Sequence, residues 1–127
     1  MKTEQLEFKG HDQSVLSARL DLPTGKPLSY ALFAHCFTCS KDSAAARKIA
    51  QRLASLGIAG LRVECTGLGH AAGDGSDTTF SSNVKDLVLA AQYMEAKFQA
   101  PQVLIGHSLG GAAILAAATH LPQAQAV

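Results

Sequence analysis

The sequence lacks the features that mark several large classes of protein. Its three cysteines are an odd number without the spacing of a disulfide framework, so we expect reduced thiols and a cytoplasmic protein. The net charge is +1 with both signs scattered along the chain, which argues against a surface for nucleic acid or for a charged membrane. The first five residues contain no apolar segment of the kind that a secretory signal needs.

No apolar run is long enough to cross a bilayer. The longest, residues 103–118, is interrupted by glycines, a histidine and a serine. A spanning helix needs about 20 apolar residues. Apolar residues make up 47% of the chain and charged residues 17%, which is typical of a folded globular protein. With 127 residues and no visible repeat or linker, we expect one domain, residues 1–127.

After an initial hairpin, the chain alternates between strand-like and helix-like segments. Short apolar runs predict strands, and apolar residues at helical spacing predict the helices between them. Strands alternating with helices predict a mostly parallel sheet with helices on its faces, a three-layer α/β/α fold. The predicted strands cover residues 6–9, 15–21, 28–34, 58–63 and 103–105, and the predicted helices cover about 42–56, 80–98 and 109–120.

The first predicted helix shows its periodicity clearly. Apolar residues recur at one helical face, and Gly57 is placed to end the helix. We expect this apolar face to pack on the sheet. Its members are Ala46, Ile49, Ala50, Leu53 and Leu56.

The most specific motif surrounds a serine. Gly106-His107-Ser108-Leu109-Gly110 has the pattern Gly-x-Ser-x-Gly, with an apolar strand before it and an alanine-rich helix after it. This context indicates a nucleophile elbow, a tight strand-to-helix turn that exposes the serine hydroxyl. Gly106 and Gly110 are predicted to lie where a Cβ would collide with the opposite limb of the turn. The amides at the start of the helix can stabilise a developing oxyanion.

Two further loops, taken together with the elbow, resemble those of a known protein family. His35-Cys36-Phe37-Thr38 follows the third strand, and Gly67-Leu68-Gly69-His70 follows the fourth. Together with the elbow, and in this order, they resemble the α/β-hydrolases, in particular the N-terminal hydrolase half of bacterial proteins that join such a domain to an OsmC-like module. The resemblance implies a shortened α/β-hydrolase fold with Ser108 as the nucleophile. It also implies an oxyanion hole made by the amides of Leu109 and Phe37.

The usual base and its orienting acid are missing after the elbow. In the family, an Asp or Glu and then a His follow the serine in the chain. Here no acidic residue follows, and the one later histidine, His120, lies about 18 Å along the helix from Ser108 at 1.5 Å per residue. His70, in a glycine-rich loop at the carboxyl edge of the sheet, is the candidate base. His35 is expected to brace its loop, and His107 to pack beneath the elbow.

These residues predict a hydrolase for small or short-chain carboxylic esters, without a cofactor or a metal. We expect low activity, because a serine hydroxyl is a poor nucleophile until a base takes its proton. The first alternative is an inactive remnant or assembly module that keeps the fold. The second is a thiol redox pair, Cys36 and Cys39, which precedes a helix that can lower a thiol pKa.

Two weaker signals lie in the same loops. The cysteines and histidines that follow the strands have ligand types that suit zinc, but not the spacing of a compact zinc site. Gly67, Gly69 and Gly73 faintly suggest a dinucleotide loop, but a long loop follows them instead of a helix. The possible zinc ligands are His35, Cys36, Cys39, Cys65 and His70.

The sheet is expected to stop soon after its nucleophile strand, with at most one short strand over residues 123–127. Such a sheet exposes an apolar edge and uncovered helix faces, which favour pairing with another chain. We therefore expect a homo-oligomer in which a second copy lies beside that edge. Such an assembly can bring His120 or His70 of a neighbour toward Ser108.

Overall fold

The computed structural model describes residues 2–10, 15–34, 44–63, 80–107 and 109–127, and within these ranges it contains five strands and three helices. Every predicted element is present. The first strand begins four residues earlier than expected, because the hairpin pairs along its whole length from Lys2 to Leu22. In chain order the elements are β1 (Lys2–Lys9), β2 (Val15–Leu22), β3 (Ser29–Ala34), α1 (Ala44–Ser55), β4 (Ile58–Val63), α2 (Phe80–Lys97), β5 (Val103–Gly106) and α3 (Leu109–Ala118).

The strands form one mixed sheet in the order β1-β2-β4-β3-β5. β1 pairs with β2 and β2 with β4 in antiparallel fashion, while β3 pairs in parallel with β4 and with β5. A hairpin therefore leads into a parallel sheet, as the sequence predicts. Near the end of the chain, Ala126 forms a parallel bridge with Val103, and its carbonyl oxygen accepts the Leu104 amide at 2.8 Å.

Two helices cover one face of the sheet and build the apolar core. α2 and α3 pack against each other, and both contact β3. Side chains alternate across a strand, so every second residue of β2, β3 and β4 contributes to this core. Its largest fully buried side chains are Leu16, Leu20, Leu32, Leu61, Val63, Leu87, Met94, Leu104 and Ile114.

The remaining helix, α1, covers the opposite face, so the three-layer α/β/α arrangement is confirmed. α1 rests on β4 and β2 through three alanines spaced four residues apart, Ala46, Ala50 and Ala54. The broader apolar face expected from the sequence is wrong in part, because Ile49 is 43% exposed and Leu56 is 54% exposed. Small alanine side chains let the helix approach the sheet closely, and the larger neighbouring residues then turn outward.

A charged pair is buried on the α1 face of the sheet. Arg62 of β4 donates from Nε to Asp21 Oδ2 at 2.7 Å and from Nη2 to Oδ1 at 3.1 Å. Thr3 Oγ1 also donates to Asp21 Oδ1, at 2.7 Å. The arginine is 4% exposed and the aspartate 1%, so both charges are removed from water and depend on each other.

Candidate active site

The carboxyl ends of the three parallel strands lie in one row. Ala34 at the end of β3 is in register with Val63 of β4 and with Gly106 of β5. α1 follows β3 on one face of the sheet, whereas α3 follows β5 on the other. Adjacent parallel strands whose following helices lie on opposite faces form a crevice at their carboxyl ends, and open α/β sheets bind ligands there. The candidate site is therefore the edge between Ala34 and Gly106.

The turn from β5 into α3 is very tight. A Cβ placed on Gly106 would lie 2.6 Å from the Gly110 carbonyl oxygen and 2.6 Å from the Gly111 Cα. Both are backbone atoms, so they cannot rotate away, and only glycine fits at this position. The predicted collision between the two limbs of the turn is confirmed at Gly106. The bend also contains a backbone hydrogen bond of 3.0 Å from the Gly110 amide to the His107 carbonyl.

His107 differs from its prediction. Its side chain is exposed, so the expectation that it packs beneath the elbow is wrong. The physical reason is the close approach at Gly106, which leaves no room for a side chain beneath the bend and puts the next residue on the rim.

The structure describes part of the predicted catalytic set. Leu109 is the first residue of α3, so its backbone lies at the helix N-terminus, where amides lack partners within the helix. Ser108 lies outside the described residues, immediately between His107 and this helix start. Phe37 and His70 also lie outside the described residues, so their places in the site stay predictions. The same is true of His35, Cys36, Cys39 and Cys65.

His120 lies at the other end of α3, as its sequence distance from Ser108 predicts. It is exposed in the turn that follows the helix, where its amide donates to the Ala117 carbonyl at 2.9 Å. It lines a groove of about 250 Å³ with Glu95 of α2 and with Pro101, which precedes β5. The sequence alone does not pair His120 with Glu95, because no local pattern links positions 25 residues apart.

Buried polar side chains of α2 lie close to the carboxyl edge. β2 runs antiparallel to β4, so the β1–β2 connection is at this edge. A Cβ on Gly10, which follows β1, would lie 2.7 Å from Asp86 Oδ1, and Asp86 is fully buried. Asn83, one turn earlier, is 3% exposed, and its Oδ1 has no hydrogen-bond partner among the described residues. Buried hydrogen-bond acceptors therefore flank the site.

Metal-ligating side chains do not gather within the described ranges. In those ranges, no three His, Cys, Asp or Glu residues lie close enough to hold an ion. Each possible zinc ligand named from the sequence lies elsewhere in the chain. None of the helices described is both long enough and apolar enough to cross a membrane.

The chain belongs to the α/β-hydrolase family, since residues 31–127 match the sequence model of that family. It is 43% identical to the esterase domain of a Rhodothermus marinus protein (TM-score 0.79), covering 98% of this chain and 48% of that one. An α/β-hydrolase from a Penicillium species has the same fold at 22% identity (TM-score 0.81), and the match covers 98% of this chain and 44% of that one. An α/β serine hydrolase without a lid from Xanthomonas campestris also has this fold, at 22% identity (TM-score 0.77). That match covers 96% of this chain and 58% of the other.

These matches also show what share of its relatives' length the chain covers. The chain spans about half the length of the solved structures that it matches. No curated protein sequence matches it. The chain thus has the family and the fold of the α/β-hydrolases, and the OsmC-like half suggested by the sequence stays a prediction.

Proposed function

We propose that this chain is a cytoplasmic serine hydrolase that acts on small or short-chain carboxylic esters. The tight turn at Gly106 is the observation that carries the proposal. It brings the end of β5 against the first turn of α3 at the carboxyl edge. The serine of the Gly-x-Ser-x-Gly motif is the residue that links these two elements in the sequence. The 43% identity to an esterase domain supports the same class of reaction.

In the proposed reaction, Ser108 attacks the ester carbonyl carbon. The amides of Leu109 and Phe37 stabilise the negative charge that develops on the carbonyl oxygen. The alcohol then leaves, and water hydrolyses the acyl–serine ester. The start of α3 at Leu109 supports one of the two donors, since the first amides of a helix are available to an anion.

The serine needs a histidine to accept its proton. If the site is completed within one chain, His70 is the candidate, because its loop follows β4 and therefore starts at the carboxyl edge. The described histidines of the chain are less suitable in that case, as His107 is on the rim and His120 is at the far end of α3. If Ser108, His70 and the two amides act without an orienting acid, we expect rates nearer to the roughly 10³–10⁴-fold enhancement that remains when triad members are removed.

The test is hydrolysis of chromogenic acetate and butyrate esters. Ser108→Ala is expected to reduce kcat/KM to the background of the assay, because the attacking atom is lost. Ser81→Ala, which removes an exposed serine of α2, serves as the matched control and should keep the full rate. Equal rates for the unsubstituted chain and Ser108→Ala would exclude the serine mechanism and favour the inactive or the thiol alternative. Only the thiol alternative predicts loss of function in Cys36→Ser or Cys39→Ser.

A further inference from the structure

The face of α2 that packs on the sheet changes from apolar to polar at its N-terminal end. From the middle of the helix onward it buries apolar side chains such as Leu87 and Ala90. Asn83 is four residues before Leu87 and Asp86 is four before Ala90, so both continue this face, and they are 3% and 0% exposed. Apart from the ion pair on the other face, all buried polar residues of the described ranges lie in the first two turns of α2, namely Ser82, Asn83 and Asp86. Since buried polar groups need polar partners, this end of α2 packs against polar groups.

Asn83 has an acceptor without a donor in the described part of the chain. Its Oδ1 atom is buried and has no hydrogen-bond partner there. Leaving a buried acceptor unpaired costs more free energy than a typical hydrogen bond contributes, and native structures pair nearly all such groups. The donor is therefore either a bound water or a group in one of the segments outside the described ranges.

The place of α2 in the fold excludes two of those segments. Asp86 closely approaches Gly10, so the N-terminal end of α2 lies beside β1, at one side of the sheet. Ser108 adjoins β5 at the other side. Residues 35–43 lead from β3 into α1, which covers the opposite face. Two connections remain, one from β1 to β2 and one from β4 to α2.

The connection from β4 to α2 is the nearer of the two along the chain. Residues 64–79 enter the helix directly, and residue 79 is four positions before Asn83, about one helical turn. Residues 11–14 follow Gly10, which meets the helix at Asp86, about one turn further from the helix start than Asn83. The β4–α2 connection also begins beside β2, because β4 pairs with that strand. Its backbone amides are therefore the favoured donors to Asn83.

We propose that the Asn83 amide oxygen accepts a hydrogen bond from a backbone N–H of residues 64–79, and that this contact positions the connection that carries His70. The catalytic part of the proposal rests on the proposed function, in which His70 takes the proton of Ser108. Asn83 is a positioning residue, since it acts through His70 and not on the substrate.

A fixed contact beside this connection matters for proton transfer. A base must lie within about 2.6–3.2 Å of the hydroxyl that it deprotonates. A displacement of about 1 Å can reduce a rate by a factor of about 10². The connection contains four glycines, which permit many backbone conformations. A hydrogen bond to a buried side chain of α2 narrows the positions that His70 can take.

The first measurement is hydrogen–deuterium exchange, which tests the contact without reference to activity. Asn83→Leu removes the acceptor, keeps a similar volume and extends the apolar face of α2. We expect amides within residues 64–79 to exchange about tenfold faster in this variant, because a donor loses its partner. Ser81→Ala, an exposed position in the same turn, is the matched control and should exchange like the unsubstituted chain.

Three results of this measurement overturn the proposal. Unchanged exchange over residues 64–79 shows that Asn83 does not contact them. Faster exchange confined to residues 11–14 assigns the donor to the other connection. A higher Tm for Asn83→Leu shows that the acceptor has no protein donor, because replacing an unpaired polar group by an apolar one of similar shape is stabilising.

The second measurement asks whether Asn83 acts through His70. Asn83→Leu should lower kcat for the chromogenic acetate ester about tenfold and change KM by less than about twofold, because the base is displaced while the ester site is kept. Ser81→Ala should keep the full rate. In a His70→Ala background, Asn83→Leu should lower kcat by less than about twofold further, since the group that it positions is already absent.

Other results separate this role from the proposed function. An equal loss in both backgrounds, or a His70→Ala variant with the full rate, overturns the catalytic role of the contact. If Ser108→Ala is as active as the unsubstituted chain, the serine mechanism fails instead. The exchange of residues 64–79 then still decides whether the Asn83 contact exists.

Discussion

The two faces of the sheet are held by different chemistry. On the α2 and α3 face, neighbouring strands and helices bury leucine, valine, isoleucine and methionine side chains against one another. On the α1 face, the helix contributes alanines, and the sheet buries the Asp21–Arg62 ion pair with Thr3 bonded to its carboxylate. The apolar face depends on the sum of many small contacts, whereas the α1 face adds to its buried Phe33 and alanines two charges that need each other.

Residues 61 and 62 of β4 make the comparison direct. Leu61 points into the apolar core and is fully buried, while Arg62, the next residue, is on the α1 side and is 4% exposed. Substitutions at these two adjacent residues of β4 therefore change the packing on one face of the sheet or on the other. Predictions at these two residues separate the energetics of the two layers.

The largest effect is expected from Arg62→Met. This change leaves the Asp21 carboxylate buried without its cation, which costs about 4 kcal/mol in comparable buried pairs. The free energy of unfolding from urea titration measures it. The double variant Asp21→Leu with Arg62→Met removes both charges and should recover most of the loss. If the single substitution costs less than about 1 kcal/mol, the pair is not the stabilising feature that its burial suggests.

A smaller loss, about 3 kcal/mol, is expected for Leu61→Ala. The substitution removes buried methyl groups and leaves a cavity that the surrounding core fills only in part. The same urea titration applies, with Leu56→Ala as a control that should change stability by no more than about 0.5 kcal/mol because Leu56 is largely exposed. A Leu61→Ala loss as small as the control's would mean that the apolar face can repack around the missing group.

Features of the fold that depend on neighbours in the chain are predictable from the sequence. The alternation of strands and helices, the stop at Gly57 with its φ of 88°, and the glycine requirement at Gly106 all follow from local pattern and local geometry. The same reasoning finds the family, because the elbow motif and its flanks are contiguous. The sequence therefore predicts a role for each of two residues, Ser108 as the nucleophile and Leu109 as an oxyanion donor. Ser108 itself lies outside the described residues.

Features that depend on distant parts of the chain are not predicted in this way. Asp21 meets Arg62 only because β2 and β4 pair with Asp21 opposite Gly60, a register that no local signal encodes. Glu95 shares a groove with His120 only because α2 and α3 pack together. The exposure of Ile49 likewise follows from how closely α1 approaches the sheet, which periodicity alone does not give.

The smallest effect concerns an ionisable side chain on the apolar face. Tyr30, at the start of β3, is 8% exposed and stacks on Phe98 with ring centroids 5.6 Å apart. Burial raises the pKa of its phenol, because the phenolate would lose its hydration. The unfolded chain then ionises first as the pH rises, so this contribution to stability is complete below pH 10 and decreases above it. Between pH 8 and 11, Tyr30→Phe should therefore lose less free energy of unfolding than the unsubstituted chain. Equal slopes for the two would show that the phenol reaches solvent at this end of the core.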